Sequence, residues 1–92
     1  MIHSFACSET EMLFNSFSVH RFHNIERVAR RKLQMIHGAR DLGALRVPPG
    51  NRLELLKEDR KGRHSIRVSD QWRICFRWVD GAAHDVEIVD YH

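Results

Sequence analysis

The chain has 92 residues, of which 42% are apolar and 29% charged, with five Gly and two Pro. This composition predicts one globular domain over residues 1–92 and excludes a disordered chain or a multidomain enzyme. Fifteen Lys and Arg against twelve Asp and Glu give a formal charge of +3, and the excess lies in residues 1–50. Twelve of the cations are Arg, the side chain suited to bidentate phosphate contact, so the charge favours an anionic partner.

The sequence shows no sign of membrane insertion or export. No apolar run approaches the roughly 18 residues that a membrane span needs, and the first residues lack the cationic and apolar regions of a signal peptide. We therefore expect a cytoplasmic protein with no membrane contact. Cys7 and Cys75 form no Cys-x-x-Cys motif, so we expect two buried, reduced thiols.

The first half of the chain predicts a short strand followed by helices. Residues 3–7 carry apolar side chains at both odd and even positions and are predicted as a strand. Ser8 and Glu11 have the spacing of a capping box, which predicts a helix start at Ser8. Apolar residues then recur at three- and four-residue spacing over 22–36 and predict a helix that ends near Gly38.

In the second half of the chain, apolar residues recur at every second position. After one helical turn at residues 41–45, Pro48 and Pro49 predict an extended stretch and a turn. Strands are then predicted at residues 53–57, 64–68, 72–78 and, after the hairpin signal Asp80-Gly81, 84–91. The fold class is therefore α+β, with an N-terminal strand and two helices packed on one face of a mainly antiparallel sheet of four or five strands.

The clearest strand presents two faces of different chemistry. Its apolar face is predicted as core and its other face is expected to expose two arginines, Arg73 and Arg77. Arg67 of the preceding strand adds a third cation. Each of these arginines is either a solvated side chain or a phosphate contact.

The helix over residues 22–36 carries a cationic face opposite its apolar one. Its members are Arg27, Arg30, Arg31 and Lys32. Ordinary solvation and contact with nucleic acid or an acidic partner are both compatible with such a face.

No common catalytic or nucleotide-binding motif is present, so nucleotide-fuelled chemistry is not expected. His20 and His23 are the nearest pair of histidines, but no Cys or carboxylate is placed to complete a tetrahedral site, so we expect no metal and no cofactor.

The chain ends in Asp90, Tyr91 and His92, three proton-handling groups directly after a strand. This trio suits acid-base chemistry or is a polar tail that frays in solvent.

Four segments together resemble a known family. They are Pro48-Pro49-Gly50-Asn51-Arg52-Leu53-Glu54, the strand pair Ser65-Ile66-Arg67-Val68 and Gln71-Trp72-Arg73-Ile74-Cys75-Phe76, and Val86-Glu87-Ile88-Val89-Asp90-Tyr91-His92. In order and length the whole chain resembles the HigB group of the RelE/ParE toxin superfamily, also called plasmid-maintenance killer proteins.

The resemblance implies a RelE-like compact domain and the toxin of a type II toxin-antitoxin system. It implies a ribosome-dependent endoribonuclease that cuts mRNA in the A site of the 30S subunit and thereby inhibits translation. The expected partners are the ribosome, its mRNA and a HigA-type helix-turn-helix antitoxin.

The resemblance also assigns site residues. The family's terminal Asp, Tyr and His fall on Asp90, Tyr91 and His92, its transition-state arginine on Arg73 and a basic residue on Lys57. Glu54 stands where some members place a catalytic histidine. The expected catalytic set is Glu54, Lys57, Arg73, Asp90, Tyr91 and His92, and the expected RNA- or ribosome-binding set is Arg27, Arg30, Arg31, Lys32, Arg67 and Arg77.

The implied reaction is in-line attack of a ribose 2′-hydroxyl on the adjacent phosphate. Tyr91 and His92 are the leading candidates for base and acid, with their assignment open, and Asp90 would orient the imidazole. Two other functions remain open: a ParE-like gyrase poison, which needs no terminal trio, and a non-enzymatic module that binds nucleic acid or protein.

Overall fold

Residues 1–56 and 62–91 are described by a computed structural model, in which helices pack on one face of an antiparallel sheet. The α+β prediction is therefore confirmed. The helices are α1 (Ser8–Phe14) and α2 (Glu26–Gly38), and the strands are β1 (Glu54–Leu55), β2 (Arg63–Arg67), β3 (Trp72–Val79) and β4 (Ala82–Asp90). The sheet order is β1-β2-β3-β4. No helix within the described ranges is long and apolar enough to cross a membrane.

The helical apolar face was predicted correctly. A 3₁₀ turn over His20–Ile25 leads into α2, and the side chains at three- and four-residue spacing are buried against the sheet. These are Phe22, Ile25, Ala29, Leu33 and Ile36. The helix ends at Gly38 as expected. Periodicity is a reliable guide here because one face of the helix must be covered to leave water.

The capping box at the start of α1 was wrong. The helix does begin at Ser8, but its N-cap is Cys7, one residue earlier than the box requires. Ser8 therefore lies within the first turn instead of before it. Glu9 and Glu11 still favour this helix start, because acidic side chains are stabilised at the positive end of the helix dipole.

The predicted N-terminal strand is reduced to two isolated bridges beside β4. Both are parallel, and they join Ile2 to Ala83 and Phe5 to Val86. Between them Asp85 adopts a positive φ of 53°, and its N–H donates to the Ser4 hydroxyl over 2.9 Å. Because this turns the β4 backbone away from regular pairing, the ladder is interrupted there.

The turns follow the sequence signals. Asp41 caps the short 3₁₀ helix Leu42–Arg46 by accepting from the Ala44 N–H over 2.9 Å, at the predicted helical turn. Asp80 and Gly81 both have positive φ, as a two-residue hairpin turn requires.

The second face of β3 is less open than expected. Arg73 is only 7% exposed, although alternation predicted solvent on this side, whereas Cys75 on the same face is fully buried, as predicted for this thiol. Arg73 is covered because it lies between Arg67 and Val89 on the neighbouring strands and its guanidinium is hydrogen-bonded to Ser65 and to the Arg52 carbonyl. The prediction of a second buried thiol was wrong, because Cys7 at the start of α1 is only half-buried. The prediction of an exposed arginine face therefore fails at Arg73.

An ion-pair cluster occupies the far end of that face. Arg77 Nε donates to Asp85 Oδ2 over 2.7 Å, and Arg63 lies 4.0 Å from the same carboxylate. The Arg77 hydrogen bond holds the pKa of Asp85 below its ordinary value of 3.8, with further lowering by the charges of Arg77, Arg63 and His84.

This arrangement predicts an acid-sensitive contribution to stability. Because the folded-state pKa of Asp85 is depressed, its stabilisation is present above the unfolded value of 3.8 and is lost as pH falls through the folded value. Asp85→Asn should lower the free energy of unfolding by about 0.5 kcal/mol at pH 6, since the pair is partly exposed. Urea titrations should show this difference shrinking below pH 3.8. Asp80→Asn is the control, and a difference for Asp85→Asn that stays constant with pH would contradict the prediction.

Candidate active site

A polar cleft of about 330 Å³ opens on the second face of the sheet. Its walls are Arg52, Glu54, Arg67, Ser69, Asp70, Arg73 and Tyr91. Four of these were predicted as site residues, although they are far apart in sequence. Three of the seven are arginines, so the cleft suits an anion.

Strand register brings the predicted residues together. Arg73 on β3 pairs with Arg67 on β2 and with Val89 on β4. Tyr91 follows Val89 by two residues and so continues on the same face. Glu54 reaches this face through its pairing with Ser65.

Arg73 is the most firmly held side chain in the cleft. Its Nε donates to Ser65 Oγ over 2.8 Å, and its Nη2 donates to the Arg52 carbonyl over 2.6 Å. Nη2 also lies 3.7 Å from Glu54 Oε2. A buried guanidinium with fixed hydrogen bonds cannot reorient freely, so its position is set before any ligand arrives.

Tyr91 and Glu54 flank this guanidinium. The Arg73 Cζ lies 5.8 Å from the centroid of the Tyr91 ring, within cation–π range. Tyr91 is 41% exposed and the Glu54 side chain 54% exposed, so both can reach a ligand in the cleft. The site therefore joins a fixed cation to a phenol and a carboxylate.

Arg67 contributes a second cation that is already paired. Its Nη2 makes a short ion pair with Asp70 Oδ1, and the Asp70 side chain is fully exposed. Because an exposed pair is weak, a phosphate can compete with Asp70 for this arginine.

Asp90 is placed differently from Tyr91. Its Oδ2 accepts from Gln71 Nε2 over 3.1 Å. Asp90 pairs with Trp72 on β3, and adjacent residues of a strand alternate between faces, so Asp90 belongs to the opposite face of the sheet from Tyr91. It is not one of the residues that line the cleft. Lys57 and His92, two further predicted site residues, lie outside the described residues.

The cationic face of α2 divides into exposed and engaged side chains. Arg27 and Arg31 are exposed, as expected. Arg30 is half-buried and donates to the Leu13 and Phe17 carbonyls over 2.9 and 3.2 Å, so it fixes the connection after α1.

Lys32 is not a surface cation, and that expectation was wrong. The residue is 8% exposed and its Nζ donates to Asn51 Oδ1. Burial lowers the pKa of Lys32, with smaller contributions from the charges of Arg31 and Arg67. The helix turns this residue toward the loop before β1, a contact that amphipathic spacing alone does not reveal.

Arg77 lies outside the cleft and is paired with Asp85. His20 and His23 are exposed, and within residues 1–56 and 62–91 no three His, Cys, Asp or Glu side chains come together as a metal site.

Sequence reasoning missed four residues at or beneath the cleft. Ser65 and Arg52 hold Arg73, while Ser69 and Asp70 form the wall beside Arg67. Asp70 follows Arg67 by three residues in a turn, a spacing that could have indicated a local ion pair. The role of Arg52 depends on its backbone carbonyl and has no side-chain signal.

The chain is similar to several known toxins. The family model described as "RelE-like toxin of type II toxin-antitoxin system HigB" matches residues 4–92. The chain is 48% identical over 60 residues to Toxin HigB-1 of Vibrio cholerae serotype O1, covering 65% of this chain and 63% of the relative. It is 38% identical over 69 residues to Endoribonuclease HigB of Proteus vulgaris, covering 75% of this chain and 73% of the relative.

A third relative, an uncharacterized protein of Haemophilus influenzae, is 35% identical over 63 residues and is covered over 62% of its length. The match thus spans less than two thirds of the Vibrio and Haemophilus relatives. In fold the chain is similar to the crystal structure of YafQ from E. coli strain BL21(DE3), with a TM-score of 0.67, 13% identity, and coverage of 98% of this chain and 93% of that one.

Proposed function

Since the chain belongs to the HigB-like family of RelE-like toxins of type II toxin-antitoxin systems, as its motifs predicted, we propose that it is a ribosome-dependent endoribonuclease. In this proposal it acts in the cytoplasm, cuts mRNA in the A site of the 30S subunit and inhibits translation. A HigA-type helix-turn-helix antitoxin holds it inactive. The name of the Proteus vulgaris relative, Endoribonuclease HigB, supports the activity.

The observation that carries the proposal is the fixed guanidinium of Arg73 beside Tyr91 in an arginine-lined cleft. Cleavage of an RNA phosphodiester builds negative charge on the phosphate oxygens in the transition state. A cation that is already oriented stabilises this charge without reorganising during the reaction.

The proposed reaction needs one base and one acid. The base takes the proton from the ribose 2′-hydroxyl, and the 2′ oxygen forms a bond to phosphorus while the bond from phosphorus to the 5′ oxygen breaks. The acid protonates the leaving 5′ oxygen, which gives a 2′,3′-cyclic phosphate and a 5′-hydroxyl. Tyr91 and His92 supply these roles, with Glu54 as a third proton-handling group beside Arg73.

Binding in this proposal uses cations at two places. Arg52 and Arg67 contact RNA phosphates at the cleft, while Arg27 and Arg31 contact ribosomal RNA from the exposed side of α2. The ribosome holds the mRNA near the geometry of attack, and such orientation contributes on the order of 7 to 11 kcal/mol. We therefore expect little cleavage of free RNA.

Charge reversal on α2 should weaken ribosome binding. Arg31→Glu removes one phosphate contact, so the slope of log affinity against log salt should become less steep by about 0.7 to 0.9. Binding of the purified protein to 30S subunits at several salt concentrations measures this slope. Arg40→Glu, an exposed site beyond α2, is the matched control. An equal effect of both variants would assign the loss to net charge and contradict a specific contact at Arg31.

Removing the partner of Arg67 should strengthen RNA binding. Asp70→Asn keeps the shape of the side chain and frees Arg67, so affinity for a non-cleavable RNA should rise about two- to fivefold, the worth of an exposed ion pair. Asp80→Asn makes the same charge change in the β3–β4 turn. Equal affinities of the two variants would contradict a direct role of the Arg67–Asp70 pair.

A paired assay tests the proposed function against the gyrase alternative. Purified protein is added to a translating mRNA and, separately, to a gyrase supercoiling reaction. The proposal predicts mRNA cuts and normal supercoiling. Inhibited supercoiling with intact mRNA would identify a ParE-like gyrase poison, and no effect in either assay would leave a non-enzymatic binding module.

A further inference from the structure

Two buried polar side chains connect α2 to the loop before β1. Asn51 is fully buried and Lys32 nearly so, and the Lys32 ammonium donates to Oδ1 of the Asn51 side-chain amide. An ammonium shielded from water and facing a neutral amide is costly to the fold. Neither residue lines the cleft, so the proposed chemistry does not account for this contact.

The Asn51 amide organises the loop around itself. Its Nδ2 donates to the Leu45 carbonyl over 3.1 Å and to the Val47 carbonyl over 3.3 Å. Its backbone N–H donates to the Pro48 carbonyl over 2.9 Å. One side chain therefore satisfies two carbonyls of a loop in which Pro48 and Pro49 have no backbone N–H to donate.

Arg52, the residue after Asn51, connects this loop to the cleft. Arg52 has φ 45° and ψ 58°, the left-handed region that a residue with a β-carbon seldom adopts. In this conformation its carbonyl accepts from Arg73 Nη2 over 2.6 Å. The hydrogen bond depends on the backbone of Arg52 and not on its side chain.

We propose that Asn51, anchored by Lys32, is a positioning residue for Arg73. By fixing the loop, Asn51 holds the backbone of Arg52 in its left-handed conformation. In that conformation the Arg52 carbonyl accepts from Arg73 and orients the guanidinium toward the cleft. This inference rests on the proposed function for its effect on rate, but its effect on the motion of Arg73 is independent of that function.

The first test is the hydrogen exchange of the arginine Nε–H groups by NMR. Arg73 Nε–H donates to buried Ser65 and should exchange slowly, and Asn51→Ala should speed this exchange at least severalfold because the guanidinium loses its second anchor. Arg77 Nε–H, bonded to Asp85 at the far end of the same face, is the internal control. Unchanged exchange at Arg73, or equal acceleration at both arginines, would overturn the proposal.

The second test is kinetic. Asn51→Ala should lower kcat for cleavage of ribosome-bound mRNA about 10- to 100-fold, as misplacement of a reacting group by about 1 Å does, with KM little changed. In an Arg73→Ala background the same change should cost less than about twofold, because residues that act through one group are not additive. A full further loss in that background would assign Asn51 a general structural role and contradict the proposal.

Matched variants keep these tests interpretable. Lys32→Met retains an apolar stem of similar length and removes only the anchor. It should give the same faster exchange at Arg73 and the same lower kcat, and it replaces Asn51→Ala as the test if that variant fails to fold. Asn15→Ala changes an exposed Asn at the end of α1 and should alter neither readout. A wild-type protein that cuts no mRNA would overturn the proposed function, whereas the exchange of Arg73 would still decide the positioning role.

Discussion

Arg73→Ala should lower the rate of mRNA cleavage by about 10² to 10³-fold, the usual cost of removing one preorganised donor from a developing negative charge. The side chain is held by Ser65 and the Arg52 carbonyl, so its orientation toward the cleft is set by the fold. The measurement is the single-turnover rate constant for cleavage of ribosome-bound mRNA at saturating protein. The urea midpoint of unfolding is recorded for the same sample.

Arg73→Lys is the informative control for this prediction. It keeps the charge but cannot reproduce hydrogen bonds from both Nε and Nη2. We expect it to retain the fold and to lose most of the activity. Full activity in Arg73→Lys would show that a positive charge alone suffices and would contradict the requirement for an oriented guanidinium.

Tyr91→Phe should lower the cleavage rate by about 10²-fold, within the range that general acid-base catalysis contributes. The phenylalanine ring preserves the contact with the Arg73 guanidinium, which lies 5.8 Å from the ring centroid. Only the hydroxyl is removed. Rapid-quench kinetics on programmed ribosomes measure the chemical step, and binding to ribosomes should be unchanged.

The contrary result for Tyr91 is equally specific. An unchanged rate would exclude the hydroxyl as acid or base and leave Glu54 and His92 to carry both proton transfers. Because the hydroxyl is on a half-exposed residue, its loss should not shift the urea midpoint. A large shift would indicate a structural role instead.

The sequence was sufficient for elements whose burial repeats with a regular period. Helix α2 and strand β3 were predicted because their apolar residues recur every 3.6 or every two residues, and the β3–β4 hairpin because Asp80 and Gly81 tolerate positive φ. The capping box failed because the residue before it, Cys7, already supplies the extended N-cap.

The site was predictable only in part, because its geometry depends on contacts between distant segments. The motifs identified Glu54, Arg73 and Tyr91, but alternation could not show that Ser65 and the Arg52 carbonyl bury Arg73. Lys32 was misplaced for a similar reason. Its acceptor, Asn51, lies in a loop whose path depends on the rest of the fold.

The most direct test of ribosome-dependent cleavage is primer-extension mapping of an mRNA translated in a purified system. Three reactions are compared: wild-type protein with ribosomes, wild-type protein without ribosomes, and His92→Ala with ribosomes. Ribosome-dependent cleavage with His92 as acid or base predicts cuts only in the first reaction. Intact mRNA in all three reactions, or cuts that persist in His92→Ala or in the absence of ribosomes, would contradict it.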